Sequence, residues 1–252
     1  MNLSKAQAQV LRSGSRPIDL RVLCRLGGIA AFILIVYSLA TMVQMMVLGG
    51  PPSTAAEAFN LLHQSKLLGL LRLDLPTVLA MPLYYFFYLG LYAAFRQSDR
   101  AFAILCTALG FAGVTLALAT PTALSMLSLS ERFAGATTET MRAQCLAAGE
   151  AVLATDIWHG TGAIVGGILG ETACLLFSVR MLRGSVFSKT TAYLGIVTHS
   201  FDLAHFFLGF FLPNMGVACM AIAGPLYPIW FFLVGGRLIL ISRAAEVVAP
   251  IA

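Results

Sequence analysis

Six long apolar runs, separated by short polar segments, dominate this sequence. Each run exceeds the length of about 18 residues at which a nearly uncharged segment becomes a candidate membrane-spanning helix. The chain is 59% hydrophobic and 11% charged, whereas soluble domains carry about 25% charged residues. We therefore predict an all-α integral membrane bundle of six transmembrane helices, over about Leu26–Leu48, Leu70–Phe95, Ala101–Leu127, Glu150–Arg183, Thr190–Leu212 and Gly216–Ile241.

The basic residues predict how this bundle is oriented. Positive charge concentrates on the cytoplasmic side of membrane proteins, and here it concentrates at alternate ends of the runs. We thus expect both termini in the cytoplasm, with residues 1–23 and 242–252 as tails and 24–241 as the transmembrane domain. One face carries Lys5, Arg12, Arg16, Arg21, Arg25, Arg96, Arg100, Arg180, Arg183, Lys189, Arg237 and Arg243, and the other carries only Lys66, Arg72, Arg132 and Arg142.

The fourth run carries ionisable residues and a glycine pattern together. Read as one helix, it places Asp156, His159 and Glu171 inside the membrane, where such groups are costly and usually functional. Gly162, Gly166 and Gly170 fall on one side of this helix, and small residues at that spacing let another helix approach closely. We call these three residues the glycine seam and predict that they pack against a neighbouring span. Glu171 is expected in the inner half, where it could pair with Arg237.

The remaining polar residues of spans two, four and five are predicted to share one depth in the membrane. Counted at about 1.5 Å of rise per residue, they all lie in its outer half. We therefore predict one outward-facing ligand-binding site formed by Asp74, Asp156, His159, Asp202 and His205.

Three kinds of chemistry fit these side chains. His159, His199, Asp202 and His205 could hold zinc with an open position for water, as catalytic zinc sites do, although their spacing does not form H-E-x-x-H. Two histidines, His159 with His199 or His205, could bind haem axially. Alternatively, the polar pairs hydrogen-bond the helices together. The five cysteines form no C-x-x-C pair, which argues against a thiolate site.

Other segments predict local structure. Gly49-Gly50-Pro51-Pro52 is expected to end the first span, and Pro76 and Pro82 to kink the second. The aromatic run Tyr84–Tyr88 is expected to pack against other helices and to anchor the bundle at the membrane interface. Residues 128–149 are predicted to form the longest loop. The basic residues form no single patch, so nucleic acid is not expected as a partner.

Several short motifs resemble a family of bacterial membrane proteins, the domain of unknown function numbered 4386. They are Arg25-Leu26-Gly27-Gly28-Ile29, Asp74, the stretch from Asp156 to Gly160, and Ala192-Tyr193-Leu194-Gly195. The likeness covers roughly residues 22–240. It implies a six-helix bundle in the bacterial inner membrane, and it implies no established activity.

The function expected from these observations is binding. The leading interpretation is a multi-pass membrane protein whose Asp/His pocket takes a small ligand, an ion or a protein partner. A membrane-embedded zinc hydrolase is the alternative, and an accessory subunit of a larger membrane complex, with or without haem, is the third. The lipid bilayer is the one partner common to all three.

Overall fold

The computed structural model of the chain describes residues 20–120, 122–157 and 159–244. In this part of the chain all regular structure is helical and no strand occurs, which confirms the predicted all-α class. The helices are α1 Leu20–Leu48, α2 Ala55–Gln64, α3 Lys66–Arg72, α4 Leu75–Ala80, α5 Pro82–Phe95, α6 Arg100–Leu118, α7 Ala123–Ala134, α8 Glu139–Leu153, α9 Thr161–Met181, α10 Lys189–Phe211 and α11 Pro213–Ala244.

Six stretches of the described chain are long and apolar enough to cross a membrane, as predicted. Five of them correspond to α1, to α4 with α5, to α9, to α10 and to α11, and the remaining stretch begins with α6. These spans form a closed ring, because α1 packs on α5, α5 on α6, α6 on α9, α9 on α10, α10 on α11, and α11 again on α1.

Local sequence explains where these helices break. α1 ends at Leu48, and Gly49 follows with a φ of 88°, a conformation that glycine adopts without strain. Pro82 lacks the N–H needed to continue α4, so α5 starts there and the second span is interrupted, as its prolines predict. α1 begins at Leu20, a few residues inside the predicted tail, and the outer parts of both predicted tails lie outside the described residues.

One end of the ring, which we call the basic end, is filled with aromatic side chains. It is the end where α5, α9 and α11 finish and where the loops are rich in arginine. Phe177 is fully buried, and its ring centroid lies 5.4 Å from that of Phe95, which in turn stacks 5.5 Å from Phe187. Trp230 and Phe231 of α11 join the same core. Dense packing of this kind is typical of a protein interior.

The other end carries a small helical cap, formed by α2, α3, α7 and α8. These helices share a separate apolar core around Phe59, Leu62 and Met126. The prediction of a loop over residues 128–149 is wrong, because most of this segment lies in α7 and α8. Its polar residues cover the exposed helix faces, and the side chain of Thr138 accepts a hydrogen bond from Met141 N–H at the start of α8.

The glycine seam packs as predicted, against α6. A Cβ atom on Gly166 would lie 2.6 Å from the carbonyl oxygen of Gly113, and one on Gly113 would lie 2.5 Å from that of Gly166. Gly113 also faces Gly170, and Gly162 faces Thr120. The backbones of α6 and α9 therefore touch, which only residues without a side chain permit.

Candidate functional site

A cavity of about 550 Å³ lies inside the ring, towards the cap. All six spans contribute to its wall, and most of the lining is apolar or aromatic. Its carboxylate and imidazole groups come from α9, α10 and the turn before α9, and hydroxyl groups come from α1, α4 and α5. The lining includes Tyr37 of α1, Thr77, Tyr84 and Tyr88 of α4 and α5, Ala117 of α6, His159 of the turn, Glu171 of α9, Asp202, His205, Phe206 and Phe210 of α10, and Met220 of α11.

Glu171 reaches this cavity from the middle of α9. Its Oε2 atom lies 2.7 Å from Nδ1 of His199, whose side chain is almost completely buried. The carboxylate accepts here, so Nδ1 carries the proton. The predicted pairing of Glu171 with Arg237 is wrong: the Arg237 guanidinium Nε donates instead to the carbonyl of Val186.

Asp202 lines the cavity beside Glu171. Its Oδ2 atom accepts a hydrogen bond of 2.5 Å from the hydroxyl group of Tyr227, on α11. His205, one turn further along α10, lies with Nδ1 3.0 Å from the carbonyl oxygen of Gly216. A carbonyl only accepts, so Nδ1 donates and Nε2 remains available as an acceptor in the neutral ring. Both predicted residues thus border one cavity while bonded to α11.

Asp74, by contrast, stabilises the cap. Its side chain is buried and accepts from the backbone N–H groups of Thr122 and Ala123, the latter at 2.8 Å, and from the Thr122 hydroxyl at 2.9 Å. These donors are at the start of α7, where a negative charge stabilises the helix. Asp74 does not line the cavity, so the structure separates it from the predicted group and gives it an evident structural task.

Asp156 and His159 lie in a turn. Their expected position within a helix is wrong, because α8 ends at Leu153 and α9 begins only at Thr161. Asp156 Oδ1 accepts from the backbone N–H of His159 at 2.8 Å and from its Nδ1 at 2.9 Å, which fixes this turn. Asp156 is outside the cavity lining, whereas His159, whose side chain is 71% exposed, borders the cavity.

The four residues proposed as metal ligands, His159, His199, Asp202 and His205, do not come together around a possible metal position. Among the described residues no group of three or more His, Cys, Asp or Glu side chains is placed to hold a metal ion. His199 is bonded to Glu171 and its ring lies 4.4 Å from that of Trp230. His199 is thus fully buried and does not line the cavity, unlike His159 and His205.

A second cavity of about 330 Å³ adjoins the first and shares Glu171, Asp202 and Tyr84 with it. It extends towards the α1–α2 connection, where Gly49 and Gly50 line it together with Arg72. Arg72 is held there by Glu57 Oε1 at 3.1 Å and by the carbonyl of Gly50 at 2.9 Å. The two cavities together connect the middle of the ring with the underside of the cap.

Glu171 and the tyrosines of the second span are the cavity residues that the sequence reading assigns elsewhere. Tyr84 and Tyr88 line the cavity as well as packing in the core, and the hydroxyl of Tyr88 donates to the carbonyl of Gly170 at 3.0 Å. The length of the fourth run could have indicated the position of Glu171, because the run exceeds the roughly 20 residues of one span.

No protein-family model, curated protein or solved structure matches the chain.

Proposed function

We propose that the chain is a multi-pass membrane protein that binds a small organic molecule between its spans. One observation carries the proposal: a single cavity of about 550 Å³ is bordered by all six membrane-length segments. Small-molecule sites are typically concave spaces of about 300–1,000 Å³ with mainly apolar walls and a few polar groups. Glu171, Asp202 and His205 are the polar groups that would orient the molecule.

A neutral fluorescent probe tests whether this space admits a ligand. The dye 1-aminoanthracene is uncharged at neutral pH and brightens when it leaves water for an apolar site. We expect saturable binding to the purified full chain in non-ionic detergent, beyond the signal of empty micelles. Ala117→Phe places a ring in the cavity wall and should abolish this binding.

Ala112→Phe provides the matched control, because it adds the same volume on the same helix, α6, at an exposed position outside the cavity lining. It should leave dye binding unchanged. Equal binding by both variants and the wild type would refute the proposal, since the dye would then be bound outside the cavity.

The sidedness of the protein belongs to the same proposal. The charge bias of twelve against four basic residues supports an orientation with both termini in the cytoplasm, and the resemblance to a bacterial family supports the bacterial inner membrane as its location. The cap and the mouth of the cavity would then face outwards. A reporter fused after Ala252 should be active only in a cytoplasmic assay, and a periplasmic signal would contradict the assignment.

The two other functional classes make different predictions for the purified protein. A zinc hydrolase would contain stoichiometric zinc, and an accessory subunit would retain protein partners during mild extraction. Because the described side chains form no metal-binding group, we expect elemental analysis to find zinc well below one equivalent. A full equivalent that is lost in His205→Ala would favour the hydrolase.

A further inference from the structure

The cavity wall carries two carboxylates and two imidazoles, and its described residues include no permanent cation. Glu171 and Asp202 border it, and among the described lining residues there is no lysine or arginine. In the adjoining cavity Arg72 is the basic lining residue, and its charge is already opposed by Glu57 at 3.1 Å. With its two histidines, His159 and His205, in the neutral form, the cavity therefore has a surplus of negative charge.

No fixed cation in the described wall balances this surplus. Glu171 is paired with His199, and a charged His199 would offset Glu171 alone. Asp202 is bonded to Tyr227, whose hydroxyl group is neutral. Neutral His205, whose Nδ1 donates to the carbonyl of Gly216, adds no positive charge beside Asp202. A carboxylate in an apolar region is costly without a counter-charge, so a positive ligand placed beside Asp202 would offset that cost.

The walls indicate what kind of cation fits. Tyr37, Tyr84, Phe206 and Phe210 line the cavity with aromatic rings, whose faces attract a positive charge. The volume of about 550 Å³ far exceeds that of a bare metal ion, and the described side chains do not form a metal-binding group. These features favour an apolar organic body around the positive charge.

We infer that the cavity is specific for an organic cation, whose charge lies against Asp202 and Glu171 and whose apolar body contacts the aromatic wall. This inference rests on the proposed function, since it requires the cavity to admit a small molecule. It goes further by naming the chemical class of that molecule and the residues that recognise it.

Two probes of the same shape and opposite charge test the inference. Tetraphenylphosphonium is a cation and tetraphenylborate is an anion, and each has four phenyl groups around one central atom. Equilibrium dialysis of the purified full chain in non-ionic detergent measures both, with protein-free micelles as the background. The wild type should bind the phosphonium at least about ten-fold more tightly than the borate, because one charge contact of about 1.4 kcal/mol gives this factor.

Substitutions test which residues recognise the cation. Asp202→Asn and Glu171→Gln keep the side-chain size and remove the charge, and each should weaken phosphonium binding about ten-fold. Glu139→Gln removes a charge from the exposed start of α8, outside the cavity, and should leave binding unchanged. Undiminished binding of 1-aminoanthracene by the two cavity variants shows that the cavity is intact in them.

The outcomes separate this inference from the proposed function. If the neutral dye binds in the cavity but phosphonium and borate bind equally, the organic-cation inference is overturned and the proposed function stands. If dye and phosphonium both fail to bind, both are overturned. A phospholipid retained in the cavity, seen by native mass spectrometry and not displaced by phosphonium, also overturns the inference. Should one variant fail to fold, the wild-type preference and the other variant decide.

Discussion

The two ends of the ring consist of the same helices but differ in how they fill the space between them. At the basic end α9 contributes Phe177, which is fully buried against Phe95 and Phe102. Two to three turns earlier the same helix contributes Gly166 and Glu171, and a cavity takes the place of a core. The helix α9 is therefore closely packed at the basic end and borders open space towards the cap.

This difference shows that close helix contact and a filled interior are separate properties. At the cap end the glycines bring the α6 and α9 backbones together and supply no side-chain volume. At the basic end large rings fill the interior, which stabilises the fold through buried area and contacts. We expect stability to reside mainly at the basic end and binding at the cap end.

The largest effect is expected from emptying the packed end. Phe177→Ala removes a fully buried ring, and such substitutions in soluble cores cost about 3–5 kcal/mol. Phe210→Ala removes a cavity-wall ring that is 62% exposed, so it should cost much less. Thermal unfolding of both variants in detergent measures the difference. Equal losses would mean that the two ends are equally stabilised by their aromatic residues.

The next largest effect concerns the glycine seam. In Gly166→Leu the new side chain meets the carbonyl of Gly113, and overpacking typically costs about 1–3 kcal/mol. We expect a marked loss of folded protein after extraction. Gly236→Leu is the control, because a Cβ atom there would have no neighbour within 4 Å. If Gly166→Leu were as stable as the wild type, the contact between α6 and α9 would not exist in the protein.

An effect of about the same size is expected where a buried carboxylate stabilises a helix end. Asp74→Asn puts an N–H₂ group where donors of Thr122 and Ala123 now bind a buried carboxylate, at an expected cost of about 1–3 kcal/mol. Asp99→Asn changes a half-exposed cap at the basic end, which accepts from Phe102 N–H and lies 3.7 Å from Arg180 Nε. Asn caps equally well, and a partly exposed ion pair contributes little to stability. Unfolding curves should show a loss only for Asp74→Asn, and equal curves would contradict the buried cap.

The smallest effect is a pH dependence at the cap. Hydrogen bonding to the Ser53 backbone N–H, together with Arg72, lowers the pKa of Glu57 below its ordinary value of 4.5. The folded state then favours the charged form. Its stabilisation is complete above pH 4.5 and is lost as the pH falls through the lowered pKa. Glu57→Gln should remove this part of the acid sensitivity, and an unchanged acid profile would contradict it.

Apolar length and breaker residues are sufficient to predict six spans, although the fourth begins at Thr161 and not at Glu150. Leu48 and Pro82 delimit helices where the sequence signals are strongest. The cavity was predicted in part, because Asp202, His205 and His159 do border one space. Whether they bind a ligand stays a prediction, as does the resemblance to the bacterial family of unknown function.

The remaining site residues depend on information that spacing does not contain. Depth along a helix says nothing about the direction of a side chain, so Asp74 could not be assigned to Thr122, far away in sequence. Depth counted along one continuous helix puts Glu171 too deep, because α8 ends at Leu153 and α9 begins only at Thr161. Thr155, Asp156 and Gly160 have the composition of such a turn, which competes with the apolar signal around them.

The closure of the ring between α1 and α11 has a consequence for synthesis. Of the described helices, α1 leaves the ribosome first and α11 last, and the two are neighbours in the finished protein. Met220 of the cavity wall and Tyr227, the partner of Asp202, both belong to α11. A nascent chain with five spans in the bilayer thus has an open side, with Asp202 missing its hydroxyl donor. The binding space comes into existence only when the last helix inserts, so an interrupted translation product lacks this space as a whole.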